Sequence, residues 1–146
     1  MRTFIVLCAV ISAAFASPYS QCSPAAGQIA SVAVKDCSDD VSTCILHRGT
    51  DAQITINFTP QVDANNVIVK AYGIIGGVPL PYPLNNNNAC QNSGITCPVK
   101  AGTPITYSQS FKVEKFYPAL SLNVKWTLVN ANGEELLCVM IPVKIQ

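Results

Sequence analysis

Side chains able to make or break bonds are scarce in this 146-residue chain. There is one histidine, His47, so a Ser-His-Asp or Cys-His arrangement would have to be built on it. A lone histidine on a short strand reads as structural. Asp36, Asp39 and Asp40 carry carboxylates of the kind calcium takes, but solvated acids on a small disulfide loop account for them equally well. Glu134 and Glu135 sit beside a turn, where charge needs no further role. Asn57-Phe58-Thr59 is a glycosylation sequon, with Pro60 after it lowering occupancy and an ordinary surface asparagine as the alternative. These residues point to no enzyme, no metal and no cofactor.

The N-terminus sets the compartment. Arg2 precedes an apolar run, FIVLCAVISAAF, that closes on the small-residue pattern Ala14-Phe15-Ala16. This is the pattern of a secretory signal peptide over residues 1–16, too short to span a bilayer, and no later segment offers about 18 uninterrupted apolar residues. A soluble, secreted domain over 17–146 is expected. Without Arg2, eight basic residues face eight acidic ones, scattered from Lys35 to Lys144, which gives no footprint for nucleic acid or an anionic surface. Few charges and 49% hydrophobic residues imply a large buried surface, whether a filled core or a lined cavity.

Once Cys8 leaves with the leader, six cysteines remain, and an even number in a secreted chain implies disulfides. The count alone allows many connectivities. Two pairs share one spacing, CSDDVSTC (Cys37, Cys44) and CQNSGITC (Cys90, Cys97), which local bridges close easily, leaving Cys22 for Cys138. A zinc site is the rival reading, opposed by the absence of C-x-x-C pairs and by the oxidising compartment.

The elements that position these residues repeat with period two. Ala52, Ile54, Ile56 and Phe58 alternate with polar residues, as do Leu120, Leu122, Val124, Trp126 and Leu128. Ile105, Tyr107, Phe111 and Val113 share a face, as do Leu137, Val139, Ile141, Val143 and Ile145; Asn132-Gly133 marks a hairpin turn before this last strand. Val67 to Ile75 is a β-branched run ending at Gly76-Gly77, and segments 29–35 and 44–48 are shorter candidates. No segment reads as a long amphipathic helix. About seven short strands in one domain argue for an all-β, immunoglobulin-like antiparallel β-sandwich. The stretch GGVPLPYP (76–83) is expected to be a stiff irregular segment, because each proline lacks the N–H that a ladder needs. It opens a long connection to Pro104 that also holds Asn85 to Asn88.

GIIGGVPLPYP (73–83), CQNSGITCPV (90–99), YPALSLNVKW (117–126) and LLCVMIPVKI (136–145) resemble the Niemann-Pick type C secreted sterol-transfer proteins of the ML lipid-recognition family. CILHRG (44–49) is similar to their relatives, the mite group-two allergens. The resemblance runs through the whole mature chain in order, includes all six cysteines, and suggests an invertebrate member. It implies an apolar cavity between the two sheets and disulfides Cys22–Cys138, Cys37–Cys44 and Cys90–Cys97. It also implies that Tyr82, Val113 and Tyr117 stand at the cavity mouth, with Leu122, Val124 and Trp126 lining the strand behind them.

Three departures from the mammalian pattern leave the choice of ligand open. Tyr82 replaces a phenylalanine, Val139 replaces a tryptophan, and Asn85 to Asn88 replace an acidic proline-rich run. The expected function is a non-enzymatic carrier, a monomer secreted or in the lysosomal lumen, that binds one sterol. Val78, Leu80 and Tyr82 form an apolar rim expected to touch a membrane or receptor during transfer. The alternatives are a carrier of fatty acids or semiochemicals, and an immunoglobulin-like recognition or immunity module with a filled core that works through its surface.

Overall fold

The computed structural model describes residues 18–23, 27–37 and 42–146; the expected signal peptide, Asp39 and Asp40 lie outside them. Among the described residues nine strands follow one another: β1 (Ser20–Gln21), β2 (Gly27–Val34), β3 (Cys44–Leu46), β4 (Thr50–Pro60), β5 (Ile68–Ile75), β6 (Val78–Tyr82), β7 (Ile105–Val113), β8 (Ser121–Val129) and β9 (Glu135–Ile145). One sheet runs β1-β9-β8-β5-β6 with β3 also on β9, and the other runs β2-β4-β7. Each period-two segment became a strand with its apolar set inward. Ile54, Ile56 and Phe58 on β4 and Trp126 and Leu128 on β8 are at most 1% exposed.

One expectation changes. The proline segment is not irregular: Val78–Tyr82 is a true strand, antiparallel to β5 from Ile75↔Val78 to Ala71↔Tyr82. Prolines are tolerated because β6 is an edge strand, where one row of N–H groups has no partner to serve. Gly76 and Gly77 form its two-residue turn with φ of 58° and 80°, the doubly positive geometry of a type I′ hairpin. The antiparallel β-sandwich is as expected, and within it the short β3 pairs parallel to β9, Cys44↔Val143 to Leu46↔Ile145. A disulfide from Cys37 to Cys44 holds that short strand. The turn at Asn132-Gly133 closes the β8–β9 hairpin, with Gly133 at φ 81°.

The remaining bridges also pair as read from the sequence, Cys90–Cys97 and Cys22–Cys138, the latter spanning 116 residues. The sheets are pinched together beside it. A Cβ on Gly27 would lie 2.7 Å from the Leu136 carbonyl oxygen and 2.8 Å from that of Thr59, so only glycine lets β2 come this close to β9. Pinching on one side lets the sheets splay on the other, between the edges β6 and β7.

Candidate ligand cavity

Burial falls along β8 in a way that alternation cannot explain. Its inward residues Trp126 and Leu128 are sealed, while Leu122 and Val124, on the same face, are only half-buried. Phe111, inward on β7, is half-buried too. The missing neighbour is a hollow of about 310 Å³ opening between β6 and β7. Its walls come from β5 (Ala71, Gly73, Ile75), β6 (Leu80, Tyr82), β7 (Phe111, Val113), β8 (Leu122, Val124, Trp126) and the ends of β9 and β3 (Val143, Ile145, Leu46), with Tyr117, Pro118 and Leu120 from the β7–β8 connection. No acid lines it, and Lys112 is the one charged residue. Such a space offers an apolar guest burial.

Glycine contributes to the space. A Cβ on Gly73 would come within 3.1 Å of Leu122 Cδ1, so the bare backbone here keeps room free along the β5 wall. At the inner end, the Trp126 indole Nε1 donates to the Tyr107 hydroxyl at 3.2 Å. Tyr107 donates to Gln109 Oε1, and Gln109 Nε2 donates to the Asn86 carbonyl at 2.6 Å. The Trp126 and Tyr107 hydrogens are both spent inside the protein, and the tryptophan ring faces the cavity. Burial pushes the Tyr107 hydroxyl well above the usual tyrosine range, so it stays a neutral donor.

At the mouth, Tyr82 reaches from the edge of one sheet to the edge of the other. Its hydroxyl donates to the Lys112 carbonyl oxygen at 2.5 Å. The ring meets Phe111 and Tyr117 edge-on, with centroids 6.3 and 6.5 Å away. Burial first, then hydrogen bonding with the Tyr117 side chain, raises its hydroxyl well above the ordinary range. β6 and β7 belong to different sheets, so this side chain acts as a clasp across a gap that no ladder closes.

Of the residues expected at the site, Tyr82, Val113, Tyr117, Leu122, Val124, Trp126 and Leu80 all line this one hollow, whereas Val78 does not. Val78 is 56% exposed at the tip of the β5–β6 hairpin. Phe111, Leu46, Val143 and Ile145 also line it and were not singled out in the sequence. Phe111 carried a signal, since it alternates in step with Val113; Leu46, on a three-residue strand, carried none. His47 is exposed just after β3 and does not line the hollow. Asn57 is half-buried on the outer face of β4, its Nδ2 donating to Ser31 Oγ at 2.8 Å.

The ML-domain family model matches residues 16–145. The chain is 33% identical over 147 residues to NPC intracellular cholesterol transporter 2 homolog a of Drosophila melanogaster, covering 100% of this chain and 99% of that one. It is 32% identical over 145 residues to the ecdysteroid-regulated 16 kDa protein of Manduca sexta, covering 99% of each. Among solved structures, a Niemann-Pick type C2 protein from the Japanese carpenter ant superposes with a TM-score of 0.83 at 35% identity, covering 88% of this chain and 98% of that one. With the domain matched from end to end and the relatives matched over their full length, the chain belongs to the ML-domain family.

Proposed function

We propose that the protein is a secreted, monomeric, non-enzymatic carrier that takes one sterol or a similarly apolar lipid into the cavity between its sheets and hands it to a membrane or receptor. The observation that carries this reading is the half-buried set Phe111, Leu122 and Val124 around an apolar-walled hollow in an otherwise sealed sandwich. The names of the relatives, cholesterol transporters among them, support it. The driving force is burial: a guest removing about 400 Å² of apolar surface from water gains roughly 10 kcal/mol, before the cost of immobilising it. A polar head group would stay at the mouth, in reach of the Tyr82 and Tyr117 hydroxyls.

Transfer needs a surface that tolerates lipid. Val78 and Leu80, 56% and 49% exposed, stand beside the mouth on β6, and Phe116, 80% exposed, stands next to Tyr117 with ring centroids 5.1 Å apart. Val78→Asp, outside the cavity wall, should slow delivery to vesicles while leaving equilibrium binding nearly intact; equal loss of both would remove the rim from transfer. The reading as a whole is tested by displacement of a fluorescent sterol and a fluorescent fatty acid from the wild type and from Val113→Phe. Binding that the larger side chain abolishes supports a carrier, and the probe bound more tightly names the class of cargo. Failure of both probes to bind would leave the surface-module reading in its place.

A further inference from the structure

A second concavity, of about 550 Å³, lies away from the apolar cavity on the outer face of the β2-β4-β7 sheet. Its floor is Gln53 of β4 with Thr106, Ser108 and Ser110 of β7, and its wall is the stapled loop with Asn86 and Asn92. The lining residues include no Lys, Arg, Asp or Glu and no aromatic ring. The wall is held rigidly. The Ser108 N–H donates to the Ser93 carbonyl at 2.8 Å, and the loop presses so close that a Cβ on Gly94 would sit 2.8 Å from the Thr106 carbonyl oxygen. Asn92 takes a positive φ of 55° at the rim, and the Cys90–Cys97 bridge closes the loop behind it.

A neutral groove of amides and hydroxyls suits a neutral guest rich in hydroxyls. Anions find no cation and cations find no carboxylate. A peptide strand is poorly served, because the loop already occupies the β7 edge and no apolar pocket receives side chains. Asn57 of the Asn-Phe-Thr sequon lies against one end of the groove: Thr106 Oγ1, part of the floor, donates to Asn57 Oδ1 at 2.5 Å. From Asn57 to Gln53 is four residues along β4, a span of about 13 Å that a short oligosaccharide lying along the strand would cover.

We propose that this groove is the seat of an N-linked glycan carried by Asn57 itself. Transfer from a lipid-diphosphate-linked oligosaccharide forms the bond from Asn57 Nδ2 to the first sugar's anomeric carbon, breaks the donor's anomeric C–O bond, and releases the diphosphate and one amide proton. Attachment precedes folding, when the amide is free. In the folded protein a half-turn of the amide lets Ser31 Oγ donate to Oδ1, replacing its present bond with Nδ2 and aiming the substituted nitrogen toward Thr106 and the groove.

The test uses chain secreted from eukaryotic cells, with intact mass read before and after glycosidase digestion and amide exchange read at Asn92, Gly94 and Ser110. The wild type is expected to carry a glycan and to exchange at these amides about tenfold more slowly than Asn57→Gln and Thr59→Ala, two independent ways of losing it. A wild type without a glycan overturns the proposal, and so does a glycosylated wild type whose exchange matches that of the sequon variants within twofold. Lipid binding in the cavity is independent of every one of these outcomes.

Discussion

Replacing Tyr82 with phenylalanine removes one oxygen from the clasp and leaves its ring in place. The lost interaction is a neutral hydrogen bond to a backbone carbonyl, worth about 1 kcal/mol net. Lys112 is exposed, so water can take over its carbonyl and no buried acceptor is stranded. The edge-on contacts with Phe111 and Tyr117 persist, which keeps the mouth's shape. A change of about 1 kcal/mol between closed and open mouth raises the open population roughly fivefold. If cargo passes only through the open mouth, association and dissociation should both speed up about fivefold, while Kd stays within twofold. Stopped-flow release of a fluorescent lipid into excess acceptor vesicles, paired with association traces, measures both arms. Unchanged rates would refute the clasp. A Kd weakened tenfold through dissociation alone would refute it differently, by placing the hydroxyl on the cargo rather than on Lys112.

Other outcomes follow from the same geometry. Gly73→Leu should fill the β5 wall against Leu122 and weaken lipid binding at least tenfold with the circular dichroism spectrum unchanged; undiminished binding would show that the guest lies elsewhere. Removing the Cys22–Cys138 bridge as a double alanine variant should cost about 5 kcal/mol in urea unfolding, the chain-entropy value for a 116-residue separation, while opening Cys90–Cys97 should cost about 2 kcal/mol. Tyr107 is fully buried with its hydroxyl pushed up, so the unfolded chain releases that proton near pH 10 while the folded chain keeps it. Its contribution is therefore fully present below about pH 10 and falls by about 1.4 kcal/mol per unit above it. Urea titrations at pH 9.5 and 11 should show the slope, and Tyr107→Phe should make it shallower, with Tyr82 supplying part of what remains.

The strands were legible because each buries one face, which imprints period two on β4, β7, β8 and β9. The hollow was not legible from that pattern. Leu122 and Val124 alternate just as Trp126 and Leu128 do, and only the splay of the sheets leaves the first pair short of neighbours. Likeness to known sequence motifs, rather than periodicity, pointed to Tyr82, Val113 and Tyr117. The β6 strand was not legible because a proline removes a ladder donor wherever it stands, and only the assembled sheet shows that β6 is an edge. The Tyr82 clasp joins residues 30 positions apart on two sheets, a pairing that no local pattern encodes. The parallel pairing of β3 with β9 was hidden for the same reason.

The prolines of β6 have a consequence for how copies of the protein treat one another. Pro79 and Pro81 within β6, and Pro83 just after it, occupy alternate positions, so the ladder to β5 can use only the N–H groups of Val78, Leu80 and Tyr82. The outward side of the strand then presents carbonyls with no donors between them. A second chain meeting this edge could not zip on as another strand, although the side chains beside it are among the most apolar on the surface. An exposed apolar strand is thereby denied the donors that seeding a fibril would need.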